Sequence, residues 1–253
     1  MTPEDMNYVG FHIYSTSEAG GKGLVQVSDP LHLQILKGLG NRPMSTTEIS
    51  GLTGKAQSTL SVHLDQMVNE KLISSEYDPN DSRRKIYSLL ATLVASSQEP
   101  SPAGLELSKS VFREMAGARG DYHEHMVRAF SVAVAASGLD IAPMMELMGY
   151  SVGEYMAEEI NSNKIEDIIR HVQDFYEINN IGEVCIYTFL PLTIIIKDNA
   201  KSPGFVVPSN SYFCQGLFRA VLSKLMGKKY EVTRSETFGT ENDYYKFVIE
   251  LAP

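Results

Sequence analysis

Two clusters of side chains carry chemistry suited to a polyanion. Gln57, Ser58, Thr59 and Ser61 fall at the start of a helical pattern. Such groups hydrogen-bond base edges or phosphates, and their small size lets a backbone approach a groove. Arg83, Arg84 and Lys85 follow directly on Asp78-Pro79-Asn80-Asp81-Ser82, a run of turn-forming residues. A hairpin at this place carries three cations beside its tip, positioned to hold phosphate. His63 adjoins the apolar positions Leu60 and Leu64; it reads as a packed, hydrogen-bonded residue, and no metal ligand is assigned.

Cys185 and Cys214 are the only cysteines and lack CxxC or Cys/His ligand spacing, so neither a disulfide framework nor a zinc site is expected. They are carried as redox candidates against the plainer reading of buried core thiols. The chain has no GxGxxG loop, no P-loop and no nucleophile elbow. No catalytic residue and no cofactor are assigned, and the chain is not expected to be an enzyme.

The elements that must position these residues begin at Asp29-Pro30, a helix start in which Asp accepts a backbone bond as N-cap and Pro costs no donor at N1. Leu31, Ile35, Leu36 and Leu39 supply one apolar face, and Gly40-Asn41 end the helix. Ser45-Thr46-Thr47-Glu48 has the spacing of a capping box and opens a short helix with Ile49 and Leu52 inward, closed by a turn over Gly51 to Gly54. The next helix runs from Gln57 to about Glu70, with Leu60, Leu64, Met67 and Val68 as its core face. Leu72 to Tyr77 and Lys85 to Leu89 then form two strand-like runs around the turn.

The 253 residues are 43% hydrophobic, enough for two packed domains. No run of about 18 apolar residues appears, so a membrane partner is excluded from the reading. The Met-Thr-Pro-Glu-Asp start lacks the regions of a secretory signal, and the cytoplasm is the expected location. The net charge of −9 argues superficially against nucleic acid. Its distribution removes the objection, because cations balance anions from Asp29 to Leu90 and the acidic excess lies elsewhere.

Ser58-Thr59-Leu60-Ser61-Val62-His63-Leu64, preceded by Asp29…Ile35-Leu36 and followed by a basic hairpin ending Ile86-Tyr87, resembles ArsR-type winged-helix regulators over roughly residues 25 to 90. The resemblance implies a recognition helix with groove contacts from Gln57, Ser58, Thr59 and Ser61, wing contacts from Arg83, Arg84 and Lys85, and double-stranded DNA as partner. Ala56 departs from the capping Ser usual in that family.

Beyond a polar, Pro-containing stretch from Ser96 to Ala103, helical patterns cover Leu105 to Met115 and Tyr122 to Val134, and continue to about Ile160. Val111, Phe112, Met115, Met126, Val127 and Phe130 suit a seam between two chains or an internal core. A homodimer is expected, because one short recognition helix reads few bases. A helix over Lys164 to Asn179, strand-like runs Gly182 to Tyr187 and Leu190 to Lys197, a helix from about Ser211 to Met226, and the runs Glu231 to Glu236 and Tyr244 to Leu251 complete the chain.

The order Gly149-Tyr150-Ser151-Val152-Gly153, the strand pair, Cys214-Gln215-Gly216-Leu217, Leu225-Met226-Gly227, Val232…Glu236 and Phe247-Val248-Ile249 resembles the 4-vinyl reductase-type ligand-binding domain over about residues 125 to 252. Some relatives fused to winged helices respond to redox state, and relatives in other regulators bind phenolic or other small apolar ligands. Thr237, Glu241 and Tyr245 stand where that family often has Cys, Gly and Cys of a zinc-holding element, so the soft ligands are missing. Met145, Met148, Tyr155, Tyr176, Phe189, Phe213, Cys214 and Phe218 are the candidates to line a site for a small apolar or aromatic ligand.

The expected fold class is α+β, with an N-terminal winged helix-turn-helix, a helical linker or dimerisation segment and a C-terminal α+β ligand-binding domain. The boundaries are 1–27 for an arm with short strands, 28–98 for the DNA-binding domain, 99–124 for the linker and helical segment, and 125–253 for the sensor. The expected function is a one-component transcriptional regulator. The alternatives are a redox-responsive regulator acting through Cys185 and Cys214, and a tetrapyrrole vinyl reductase-like enzyme.

Overall fold

A computed structural model describes residues 10–21, 23–97, 102–117, 122–198, 209–238 and 244–252. The chain divides into two bodies, Met1–Glu99 and Pro100–Pro253.

The first body begins with strands β1 (His12–Ser15) and β2 (Leu24–Val27), followed by helix α1 (Pro30–Asn41). The Asp29 side chain caps α1 by accepting from the Leu31 N–H at 2.8 Å, with Pro30 in the first turn. A two-residue strand β3 (Met44–Ser45) leads into α2 (Thr46–Thr53). Both halves of the capping box form: the Ser45 hydroxyl accepts from the Glu48 N–H, and Glu48 accepts from the Ser45 N–H. Helix α2 closes on Gly54 at φ 67°, a left-handed conformation that Gly adopts without steric cost.

Helix α3 (Gln57–Asn69) follows, then β4 (Ile73–Asp78), β5 (Asp81–Leu89) and β6 (Thr92–Ser97). Strands β3, β5 and β4 make an antiparallel sheet in that order, while β2, β1 and β6 make a second antiparallel ribbon. The core joins Ile35, Leu36 and Leu39 of α1 to Ile49 of α2, Leu60, Leu64 and Met67 of α3, and Tyr14 and Val27 of the N-terminal strands. The strands of the arm are therefore part of this body.

Several expectations are corrected. Leu52, expected inward, is 40% exposed: it lies over Gly38 of α1 at the edge of the core, while Ile49 is fully buried. The wing turn is tighter than read: β5 starts at Asp81, so Arg83, Arg84 and Lys85 lie on the strand itself. Of the expected linker, Ser96 and Ser97 belong to β6 and Pro102 and Ala103 to a helix, while residues 98–101 fall outside the described residues.

The second body contains α4 (Pro102–Gly117), α5 (Tyr122–Ala136), a short β7 (Leu139–Asp140), α6 (Ala142–Glu159), α7 (Ile165–Ile178), β8 (Gly182–Phe189), β9 (Leu192–Asp198), α8 (Ser209–Met226), β10 (Tyr230–Phe238) and β11 (Tyr244–Leu251). The sheet order is β10-β11-β9-β8, antiparallel throughout. Ile194, Ile196, Phe247 and Ile249 from the sheet meet Ile168, Ile169 and Val172 of α7 and Leu217, Phe218 and Val221 of α8 in one core. Helices α6 and α8 touch backbone to backbone. A Cβ on Gly149 or Gly153 would fall onto the carbonyl oxygens of Phe213 or Leu217, and one on Gly216 onto that of Glu146. Helices α4 and α5 share a small cluster of Val111, Ala129 and Val132.

Candidate nucleic-acid interface

The 3.6-residue period of α3 separates two faces. Leu60, Leu64 and Met67 are fully buried, whereas Gln57, Ser58, Thr59 and Ser61 are exposed. Ala56 provides no side-chain cap, so the first-turn N–H groups lack the partner that a Ser would supply. Ser61 donates back to the Ser58 carbonyl at 2.9 Å and Gln57 donates to Thr47 at 3.3 Å. The first bond stays within α3 and the second ties its first residue to α2, and both Gln57 and Ser61 remain exposed. Val62, 69% exposed on the same face, was missed by a reading confined to polar residues. The i, i+3, i+4 spacing of Ser58, Ser61 and Val62 is the signal that finds it.

Strand periodicity divides the three wing cations. Arg83 and Lys85 share one side of β5 and Arg84 takes the other. Arg84 meets Glu48 of α2 at 3.1 Å and Asp78 of β4 at 3.6 Å, so its charge is engaged within the protein. Lys85 is half-buried, with its ammonium 6.0 Å from the centre of the Tyr77 ring on the opposed strand. Arg83 is exposed, and no ion pair involves it among the described residues. The Ser45 hydroxyl and N–H, then Arg42 and Arg84, pull the Glu48 carboxyl down to about 2. The junction of α2, β3 and β5 is thus an ion-pair network beside the helix-turn-helix.

His63 points away from the outer face. Its Nδ1 lies 2.9 Å from Nε2 of His32 on α1, with the rings edge to face, and burial lowers the pKa of His32.

Of the eight candidate ligand-lining residues, Tyr176, Cys214 and Phe218 share one buried cluster with Phe213 packed against it, and Met145, Met148, Tyr155 and Phe189 lie outside that cluster. Tyr176, Cys214 and Phe218 are buried, and the Tyr176 hydroxyl lies 2.6 Å from the Cys214 sulfur. Met145 and Phe213 are half-buried, whereas Met148, Tyr155 and Phe189 are 51%, 72% and 53% exposed. Residue type alone does not separate a core aromatic from a surface one. Two open clefts, of about 360 and 530 Å³, are lined by other residues, among them Tyr212, Gln215 and Arg234 in one, Tyr150 and Tyr230 in the other, and Arg219 in both. Cys185 lies exposed on β8, contrary to the buried reading, because its side chain alternates outward between Val184 and Ile186. Thr237 and Tyr245 are directly paired across β10 and β11, so the positions aligned with family cysteines are neighbours without thiols.

Three helices followed by a hairpin, with a polar outer face on the third helix, define a winged helix-turn-helix. Residues 29–75 match the family described as bacterial regulatory protein, arsR family. This stretch is an arsR-type helix-turn-helix, which supports a DNA-binding transcriptional regulator. A search of curated proteins returns no match. Among solved structures, similarity is found to a vinyl-4-reductase family protein from Methanocaldococcus jannaschii, at 13% identity and TM-score 0.32, covering 60% of this chain and 97% of that one. A protein from a study of haem distortion in the H-NOX family gives 11% identity and TM-score 0.35, with 58% and 86% covered. Another, from work on haem redox potential and porphyrin distortion, gives 13% identity and TM-score 0.33, with 60% and 87% covered. Among the described residues no helix is long and apolar enough to cross a membrane.

Proposed function

We propose that the chain acts as a one-component transcriptional regulator that binds double-stranded DNA as a homodimer. In this reading α3 enters the major groove, with Gln57, Ser58, Thr59 and Ser61 toward base edges and phosphates and Val62 toward a thymine methyl. The observation that carries the reading is the division of α3 into a sealed apolar face and an open face of small polar residues, beside the exposed Arg83. Arg83 and Lys85 grip phosphate, while Arg84 holds the wing to α2. The second body takes a small apolar or aromatic ligand and shifts operator binding through its different affinity for the two states of the dimer.

The test is operator binding by the full chain over a range of salt concentrations. Affinity should fall steeply with salt, and Arg83→Ala should reduce the slope of log K against log salt by about one. A salt-insensitive protein would remove the DNA reading.

A further inference from the structure

Asp29, His32 and His63 bring three metal-ligating atoms within 4.8 Å of one another. His32 Nε2 is the hub, 2.9 Å from His63 Nδ1 and 3.9 Å from Asp29 Oδ2. Donors about 2.1 Å from a tetrahedral ion stand about 3.4 Å apart, so the two edges from His32 bracket the required one, and the third, from Asp29 to His63, is within 4.8 Å and must shorten by side-chain rotation. Asp29 can serve without losing its structural task, because Oδ1 caps α1 through the Leu31 N–H and the other oxygen, Oδ2, lies 3.9 Å from His32 Nε2. The three residues come from two elements. Asp29 and His32 stand at the start of α1, and His63 stands on α3 behind its outward face.

We propose that Asp29, His32 and His63 form a binding site for a borderline divalent ion of the zinc, cobalt or nickel class. Two imidazoles and one carboxylate are a donor set that favours such ions over magnesium or calcium, which take oxygen. Water completes the coordination, as in three-ligand zinc sites. In the ion-free protein one of the two facing nitrogens carries the hydrogen of the His32–His63 bond. On binding, that ring moves its proton to its other nitrogen, so both facing lone pairs go to the metal and no net proton is released. The ion ties the start of α1 to the middle of the recognition helix. Binding at this place is independent of the DNA reading, and the test uses no DNA.

Metal-stripped full-length protein is titrated with Co²⁺ by visible absorption, and with Zn²⁺ against a chromophoric chelator. The other histidines, His12, His123, His125 and His171, are retained in every variant. The parent protein is expected to bind one ion per chain more than the His32→Gln/His63→Gln variant, with ligand-field bands that the variant lacks. Asp29→Asn keeps a capping side chain and is expected to weaken Zn²⁺ about tenfold or more while leaving the unfolding temperature of the stripped protein unchanged. Equal stoichiometry and affinity in the parent and the double variant would overturn the site. If the double variant fails to fold, unaltered Zn²⁺ affinity in Asp29→Asn overturns it equally.

Discussion

At the scale of single residues, Glu48 has the most engaged position around the helix-turn-helix. It accepts from the N–H and hydroxyl of its own cap and meets Arg42 at 2.8 Å and Arg84 at 3.1 Å. Its carboxyl titrates lower in the folded protein than its usual 4.5, at about 2. The stabilisation it brings is therefore complete above 4.5 and lost as the pH falls toward 2. Glu48→Gln should flatten the decline of unfolding temperature across that acid window and leave the profile above it parallel to the parent. A decline as steep as the parent's would show that other carboxylates set it. Arg84 belongs to the same network, so Arg84→Ala should move the salt slope of DNA binding less than Arg83→Ala does. Comparing the two slopes separates a structural cation from a phosphate-binding one. The three cations were legible in the sequence as a group. Their division was not, because it depends on where the hairpin turns, and the bend is confined to Pro79 and Asn80, which places all three cations on the strand, where alternate residues face opposite sides.

At the scale of elements, the crossing of α6 and α8 depends on the absence of side chains. Gly216→Ala would drive a methyl into the carbonyl of Glu146 and the backbone of Tyr150, neither of which can rotate away. Overpacking of a rigid site typically costs about 1–3 kcal/mol, and backbone contact on this crossing places the loss at or above the upper end. Chemical denaturation of the variant measures it, and a loss below about 0.5 kcal/mol, the scale of an ordinary surface change, would mean that the helices separate easily. The long elements of this body were readable from local residue pattern: α7, α8, β9 and β11 lie close to the expected positions. The short strands β3 and β6 were not. Met44–Ser45 has two residues, too few for a period. Thr92–Ser97 becomes a strand by pairing with β1, far away in sequence, and local pattern holds no trace of that partner. Only four of the ligand candidates, Tyr176, Phe213, Cys214 and Phe218, share one cluster, since Tyr155 and Tyr176 look alike in sequence but lie on the surface and in the core.

At the scale of the whole molecule, the proposed dimer makes use of an apolar surface on α4 and α5. Phe112, Met126 and Phe130 remain 45%, 40% and 60% exposed while Val111, Ala129 and Val132 pack inward. Large apolar groups repeated along a helical pair suit a partner helix better than water. Phe112→Glu with Phe130→Glu should convert a dimer to a monomer in light scattering and weaken operator binding, since each chain alone reads one half-site. A parent protein that scatters as a monomer at micromolar concentration would remove the dimer from the proposed function.

The β1–β6 pairing brings Phe11 and Ser97, near the two limits of the described part of the first body, side by side. Phe11 donates its N–H to the Ser97 hydroxyl at 2.6 Å, and the Ser97 N–H returns a bond to the Phe11 carbonyl at 2.8 Å. The described stretch of this body thus starts and stops at one end of the same sheet. A short bridge could join the two ends, and the chain could then be reopened at the Pro79–Asn80 bend without breaking the core, a rearrangement that adjacent termini tolerate. Conversely, a gene truncated to start at Asp29 would strip β6 of its neighbour, leaving a raw sheet margin prone to self-association.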